Sequence, residues 1–143
     1  MSKNVDRIFG LFDDEMPESE RSKIIADLEE FNDSMEFNLG MFTKLIQNNI
    51  VFNEKLKKFF KDIGKKYDEE TTKKSSEYTV FNRSWHYLSK VDPDSDEFIQ
   101  VILEHDMKFL GSSLERALIF FESSEEYERC AHIHKMTKLI KAI

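Results

Sequence analysis

The stretch that decides the fold is residues 24–63, IIADLEEFNDSMEFNLGMFTKLIQNNIVFNEKLKKFFKDI. Two series of residues recur through it at every seventh position, and ten of their twelve members are apolar. An apolar repeat of this length is typical of a helix that buries one stripe against other helices. The first series is Ile24, Phe31, Asn38, Leu45, Phe52 and Phe59, and the second is Leu28, Met35, Phe42, Asn49, Leu56 and Ile63.

The ends of this repeat predict a single helix over residues 18–63. Pro17 suits a first helical turn, and Gly64 suits the position just after a helix. Such a helix would be roughly 70 Å long. Gly40 and the asparagine pair at 48–49 are the places where it could break into a hairpin, but the repeat keeps its phase across both. Phenylalanine crowds the seam of a two-stranded zipper, so we predict a coiled-coil-like helix within a bundle.

The next part of the chain predicts a loop and a second helix. Residues 65–76 are polar and aperiodic, which favours a loop. The amphipathic helix that follows ends before Pro93, because a residue preceding proline is driven out of the α region. Its apolar residues, spaced three, four and three apart, are Tyr78, Phe81, Trp85 and Leu88.

Capping-box spacings mark two further helices. Asp94 opens a helix over residues 95–121, and its apolar phase continues past Gly111, so we expect a bend there and not a stop. The same spacing at Ser123 opens a last helix over residues 124–142.

Composition agrees with a helical fold. The chain is 40% hydrophobic and 34% charged, and its 4 glycines and 2 prolines are too few for a turn-rich β domain. We predict the all-α class: one elongated helical domain of residues 1–143. In it, the long helix packs against a broken return helix and a C-terminal helix.

Cysteine content and apolar runs predict a cytoplasmic protein. The single cysteine excludes an intramolecular disulfide framework and fits a reducing compartment. The N-terminus has no secretory signal, and no stretch approaches the roughly 18 apolar residues of a membrane span. We expect a soluble protein without membrane attachment. Its many Lys, Asn, Ile and Phe residues suit an AT-rich genome, such as that of a phage or a bacterium.

A basic centre lies inside this acidic chain. The net charge is −7, yet residues 41–90 carry 11 basic and 6 acidic side chains. Much of the excess lies in residues 52–66, FNEKLKKFFKDIGKK, where lysines lie opposite an apolar arc of the helix. Phosphate binding on a nucleic acid is one interpretation, and a solvated helix face is the other. The lysines are Lys55, Lys57, Lys58, Lys61, Lys65 and Lys66.

A cysteine and two histidines near the C-terminus do not predict a metal site. Cys130 and His134 fall on neighbouring tracks of a helix, but His132 lies about 160° from Cys130. A zinc site needs three or four ligands, so we interpret Cys130 as a small core residue and predict neither a metal nor a cofactor.

Residues 123–140 locally resemble the UVR-type helical hairpin of nucleotide-excision-repair proteins and some protease adaptors. His134 and Lys135 stand where that motif has an Arg-Asp pair, so its polar signature is missing here. The resemblance implies a protein–protein contact. Its matching positions are Tyr127, Glu128, Cys130, Ala131 and Ile133.

Asp106 is the buried polar residue that the pattern singles out. It falls on the apolar side of the predicted helix over residues 95–121, where a carboxylate needs a partner or becomes neutral. A hydrogen bond within the fold, for example from the Trp85 indole, is the simplest interpretation, and a contact with a partner chain is the alternative.

The N-terminal segment, residues 1–16, is predicted to be either flexible or a docking element. It joins a short apolar peptide to acidic side chains, a combination that suits the groove of a partner. The residues predicted to contact the partner are Ile8, Phe9, Leu11, Phe12, Asp13 and Asp14.

The sequence carries no catalytic motif. A glycine-rich phosphate loop, a Gly-x-Ser-x-Gly elbow and a His-Glu-x-x-His helix are all missing from it. We predict a non-enzymatic protein-interaction module, an adaptor, scaffold or inhibitor of a larger complex, with self-association left open. The alternative is a nucleic-acid-associated accessory protein that uses the lysines, and a metal- or ligand-binding bundle is third.

Overall fold

The computed structural model describes residues 16–62 and 69–143, and within them the chain forms six helices and no strand. The prediction of an all-α helical bundle is confirmed. No helix in this part of the chain has both the length and the apolar character needed to cross a bilayer. The helices are α1 (Glu18–Asn32), α2 (Met35–Asp62), α3 (Glu69–Leu88), α4 (Asp96–Glu104), α5 (Leu110–Ser123) and α6 (Tyr127–Lys141).

The predicted helix over residues 18–63 is divided between α1 and α2, because Ser34 starts a new helix. The Ser34 hydroxyl accepts a hydrogen bond from the Phe37 backbone N–H at 3.2 Å, which is N-cap geometry. The Ser34 carbonyl accepts two bonds from Asn38, one from its backbone at 3.1 Å and one from its side chain at 2.9 Å. The prediction of one continuous helix is therefore wrong at this point.

The buried stripe of α2 departs from the seven-residue series. Asn38 is buried and Leu45 is half-buried, but Phe52 and Phe59 are 55% and 56% exposed. A straight α-helix has 3.6 residues per turn, so a seven-residue repeat rotates by about 20° per heptad around it. Since α2 continues without a break through Gly40, three heptads carry the first series from the core to the surface.

The predicted loop over residues 65–76 is wrong from residue 69 onward, where α3 begins. Residues 65–68 lie outside the described part of the chain. An ion pair one turn apart supports the start of α3, because Lys74 Nζ lies 2.9 Å from a Glu70 carboxylate oxygen. This hydrogen bond raises the pKa of Lys74 above its ordinary value.

The predicted helix over residues 95–121 is also two helices. His105 has extended backbone (φ −112°, ψ 140°), so α4 stops there, five residues before the start of α5. The helix therefore ends at Glu104, before Gly111, and the bend predicted at Gly111 is not present. Because the helix is interrupted here, Phe98 of α4 and Leu114 of α5 both pack into the same core.

The caps of α4 and α6 differ from the capping-box spacings. Ser95, and not Asp94, caps α4, since its hydroxyl accepts a hydrogen bond from the Glu97 N–H at 3.3 Å. Ser123 does not open α6, because its hydroxyl donates to the Phe120 carbonyl at 2.7 Å and the residue belongs to the end of α5.

A left-handed residue separates α5 from α6 and delays the start of the last helix to Tyr127. Glu125 has φ 58°, and the Glu126 N–H donates to the Phe121 carbonyl at 2.9 Å. This bond closes the last turn of α5 in the manner of a Schellman motif, in which glycine usually takes the left-handed position.

The core of the bundle is built by α2 to α6. Aromatic rings fill much of it: Phe81 of α3 stacks on Phe120 of α5, with ring centroids 4.7 Å apart. Ile24 of α1 is buried outside this cluster. The core residues are Leu39, Phe42, Ile46, Phe81, Leu88, Val91, Phe98, Val101, Leu110, Leu114, Ala117, Phe121, Cys130, Ile133 and Met136.

Candidate functional site

A groove between α2 and α3 lies beside the exposed ring of Phe52, and we call it the Phe52 groove. Its volume is about 580 Å³, and its accessible lining is predominantly apolar. The side chains from α3 are short, so the floor between the two helices stays open. The residues that define it are Leu45, Asn48 and Phe52 on α2, and Thr72, Ser75 and Thr79 on α3.

The apolar surface extends from the Phe52 groove along α2. Val51 is 47% exposed, and Phe59 lies two turns beyond Phe52 on the same side of the helix. The Phe59 and Phe60 rings meet edge to face, with centroids 5.5 Å apart, which holds Phe59 at the surface. Leu45, Phe52 and Phe59 therefore form an apolar strip, which is the part of the first heptad series on α2 that the core does not bury.

Basic side chains flank this strip, and we call them the basic rim. Lys44, Lys55 and Lys58 are exposed, and at 100° per residue they fall within about 60° of one another on the side of α2 away from α3. On α3, Arg83 is exposed one turn beyond Thr79 and on the same side of the helix. The rim therefore places positive charge on both flanks of the Phe52 groove.

The structure divides the predicted lysine strip. Lys55 and Lys58 belong to the basic rim, whereas Lys57 lines a separate cleft of about 230 Å³ between α2, α3 and α5. Glu54 and Glu77 also line that cleft, so its charges are mixed. Lys61 is exposed near the end of α2. Lys65 and Lys66 lie outside the described residues.

Asp106 is exposed, so the prediction of a buried carboxylate is wrong. It lies in the connection between α4 and α5, where the helical phase used to place it no longer applies. It lines a shallow surface groove with Lys44 and Phe109.

Polar residues other than Asp106 are buried in the described part of the chain, and the sequence pattern did not predict their burial. They are Asn38, Asn49, Ser84 and Ser113. Ser113 Oγ accepts a hydrogen bond from Gln47 Nε2 at 2.9 Å, which joins α5 to α2. The signal for the two asparagines was present, since they are the only polar members of the heptad series. Nothing in the local pattern distinguishes the two serines.

Cys130 lies in the core, at 5% exposure, and burial raises the pKa of its thiol. The two neighbouring histidines point to different places: His132 Nε2 lies 3.3 Å from the Leu88 carbonyl, and His134 Nε2 lies 3.7 Å from Glu122. In residues 16–62 and 69–143, no three His, Cys, Asp or Glu side chains come together in a way that could hold a metal ion.

The predicted N-terminal contact residues, from Ile8 to Asp14, lie outside the described residues. Their part in binding stays a prediction. No protein-family model, no curated protein and no solved structure matches this chain. In the described part of the chain, the Phe52 groove combines a predominantly apolar lining with the exposed rings of Phe52 and Phe59 on the same side of α2.

Proposed function

We propose that this protein is a non-enzymatic protein-interaction module, an adaptor, scaffold or inhibitor, and that it binds its partner through the Phe52 groove. The observation that carries the proposal is the exposure of Phe52 and Phe59, two large aromatic side chains on one side of α2. Aromatic side chains are enriched among the residues that dominate binding energy in protein interfaces, because they bury much apolar area with little loss of rotamer freedom.

The surroundings of Phe52 and Phe59 support the interpretation that the two exposed rings belong to a binding surface. The strip lies next to an open groove, and charged side chains border it, as in the apolar centre and polar rim of many interfaces. The N-terminal segment with Phe9, Leu11 and Phe12 is proposed as a second contact. The single cysteine, Cys130, is buried and has no second cysteine in the chain to pair with, which suits the proposed cytoplasmic location.

A nucleic-acid-associated role is the alternative, and the exposed lysines of α2 favour it. The positions of these lysines around α2 support a nucleic-acid-associated role less than the sequence pattern did. Lys57 lines the separate mixed-charge cleft, away from Lys55 and Lys58, so these lysines do not form one continuous surface for a phosphate backbone. The apolar strip has no role in a purely electrostatic contact with a nucleic acid backbone.

Purification of the full-length chain from its native cell, with and without nuclease, tests the proposal. We expect a protein in stoichiometric amount that survives nuclease and is lost in the Phe52→Glu variant. Ile119→Glu is the matched control, since Ile119 is 67% exposed on α5 and should retain the partner. Recovery that collapses with nuclease, or a partner that is retained by Phe52→Glu, contradicts the proposal.

A further inference from the structure

We propose that the occupant of the Phe52 groove is an amphipathic helix with acidic flanks, supplied by a different protein. This inference rests on the proposed function and adds to it the chemistry of the partner. It follows from the shape of the groove, from the charge of the basic rim and from the failure of a second copy to match that charge.

The shape of the surface fits a third helix lying on α2 and α3. The strip from Leu45 to Phe59 spans roughly 21 Å along α2, or about four helical turns. Helices pack with their axes about 8–10 Å apart, and short side chains at the contact allow the closer distances. Thr72, Ser75 and Thr79 provide such a contact on α3. A partner with apolar residues on successive turns can cover Phe52 and Phe59 together.

A helix fits this surface better than the other common peptide conformations. Binding by strand addition needs an open sheet edge, and residues 16–62 and 69–143 form no strand. Proline-rich peptides bind grooves lined by several aromatic rings, whereas the described residues place one ring, that of Phe52, in the lining of this groove. An amphipathic helix needs only an apolar groove between two helices, which α2 and α3 provide.

The charge of the rim selects acidic flanks. Lys44, Lys55 and Lys58 lie on one side of the strip with one exposed carboxylate, Asp62, on the same arc, so this side keeps a net positive charge. Arg83 lies on the other side, on α3. Opposite charges across an interface raise the association rate and fix the orientation of the partner, and like charges reject it. A helix with glutamate or aspartate beside its apolar stripe therefore matches both sides of the Phe52 groove.

The same charges disfavour a second copy of this chain packed strip against strip. Such a pairing places the lysines of one molecule against those of the other, and like charges that face each other across an interface are destabilising. The like charges therefore count against the same strip of a second copy as the occupant, and the occupant that we propose is an acidic helix of a different protein.

Fluorescence anisotropy of labelled peptides with the full-length chain tests the inference. The probe is a designed helical peptide of about 18 residues, with leucine on successive turns and glutamate on both flanks. The control peptide has the same leucines with lysine flanks. We expect the acidic peptide to bind at least about tenfold more tightly than the basic one, and added salt to reduce the difference.

Matched variants locate the contact. Phe52→Ala should weaken the acidic peptide by at least about tenfold, because the central aromatic anchor is lost. The double variant Lys55→Gln, Arg83→Gln should weaken it by about fivefold. Lys138→Gln with Lys141→Gln on α6 removes the same charge elsewhere and should change nothing. Circular dichroism of each variant checks that the fold is kept.

Three results overturn the inference: equal binding of the two peptides, no binding of either, or tighter binding of a DNA oligonucleotide through Phe52, Lys55 and Arg83. They are distinguishable from a failure of the proposed function. If Phe52→Glu loses its co-purifying protein but the peptides show no preference, the interaction module stands and the acidic helix is wrong. If no protein co-purifies, the proposed function fails whatever the peptides do.

Discussion

At the scale of single residues, Ser84 and Arg129 find hydrogen-bond partners close by, whereas the buried Asn38 Oδ1 has none among the described residues. Ser84 donates to the Phe81 carbonyl of its own helix at 2.9 Å. Arg129 of α6 donates to Asn82 Oδ1 at 2.9 Å, and its guanidinium lies over the Trp85 and Phe121 rings at 5.3 and 5.2 Å. Arginine suits this place because its planar cation hydrogen-bonds at the edge while its face covers aromatic rings. Such contacts join α3, α5 and α6.

Cys130 is predicted to react slowly in the folded protein. Its burial raises the pKa of the thiol, so the thiolate that attacks an alkylating reagent is scarce at pH 8, and the core blocks access. Iodoacetamide should modify the native chain at least about tenfold more slowly than the urea-unfolded chain. Mass spectrometry over time measures both rates, and equal rates would show that the thiol is open to solvent.

The raised pKa of the Cys130 thiol also determines how the free energy of unfolding changes with pH. The folded state holds the thiol proton more tightly than the unfolded state, so the contribution of Cys130 is full below the unfolded pKa of about 8.5. It is lost as the pH rises through the raised folded value. Cys130→Ala should therefore lose less stability than wild type between pH 8 and pH 10, as measured by urea unfolding.

At the scale of elements, each helix ends where a particular side chain or backbone angle ends it. The Ser34 hydroxyl caps α2, the extended backbone of His105 stops α4, and the left-handed Glu125 closes α5. The interruptions at Ser34 and His105 each divide one predicted helix, so four predicted helices become six in the described residues. They also set the angles that allow α2 to α6 to share one core.

Glu125→Gly is predicted to stabilise the protein. A left-handed conformation costs a residue with a Cβ about 1–2 kcal/mol, whereas glycine adopts it freely. Glycine also gives the unfolded chain more freedom, so we expect a net gain of about 0.5–1 kcal/mol in the free energy of unfolding. Thermal denaturation followed by circular dichroism measures it.

The matched control for that substitution is Glu115→Gly. Glu115 is exposed in the interior of α5, so glycine there should cost about 1 kcal/mol. If both substitutions destabilise the protein to the same degree, Glu125 does not hold the left-handed position in solution.

At the scale of the whole molecule, stability depends on a core that draws residues from five helices. Most of its members come from segments far apart in sequence, such as Phe42 of α2, Phe98 of α4 and Ile133 of α6. The N-terminal helix α1 contributes nothing to this cluster. The surface opposite the core on α2 is then left for the Phe52 groove.

Leu114→Ala is predicted to destabilise the protein by about 2–5 kcal/mol, because Leu114 is fully buried in α5 and its removal leaves a cavity. Ile119→Ala, on the exposed side of the same helix, should change the free energy of unfolding by less than about 0.5 kcal/mol. Urea unfolding of the two variants beside wild type gives both values, and similar values for them would place the core elsewhere.

The fold class could be predicted from the sequence, and the site could be predicted only in fragments. Apolar spacing identified Leu88, Leu114 and Cys130 as inward-facing, and each is buried. Spacing failed for Asp106 because it assumed an unbroken helix, whereas Asp106 lies in the interruption between α4 and α5. The basic rim was found in part, through Lys55 and Lys58. Arg83 was missed, since only the packing of α3 on α2 brings it to the groove.

By itself the sequence determined that this chain is helical. The evidence was local: the period of the hydrophobic residues, the scarcity of glycine and proline, and the many helix-forming residues. The tertiary structure decided where the helices stop and which apolar residues stay outside. Phe52 and Phe59 belong to the same repeat as the buried Asn38. Only the rotation of that repeat around a straight α2, together with the position of α3, separates a core stripe from the exposed strip.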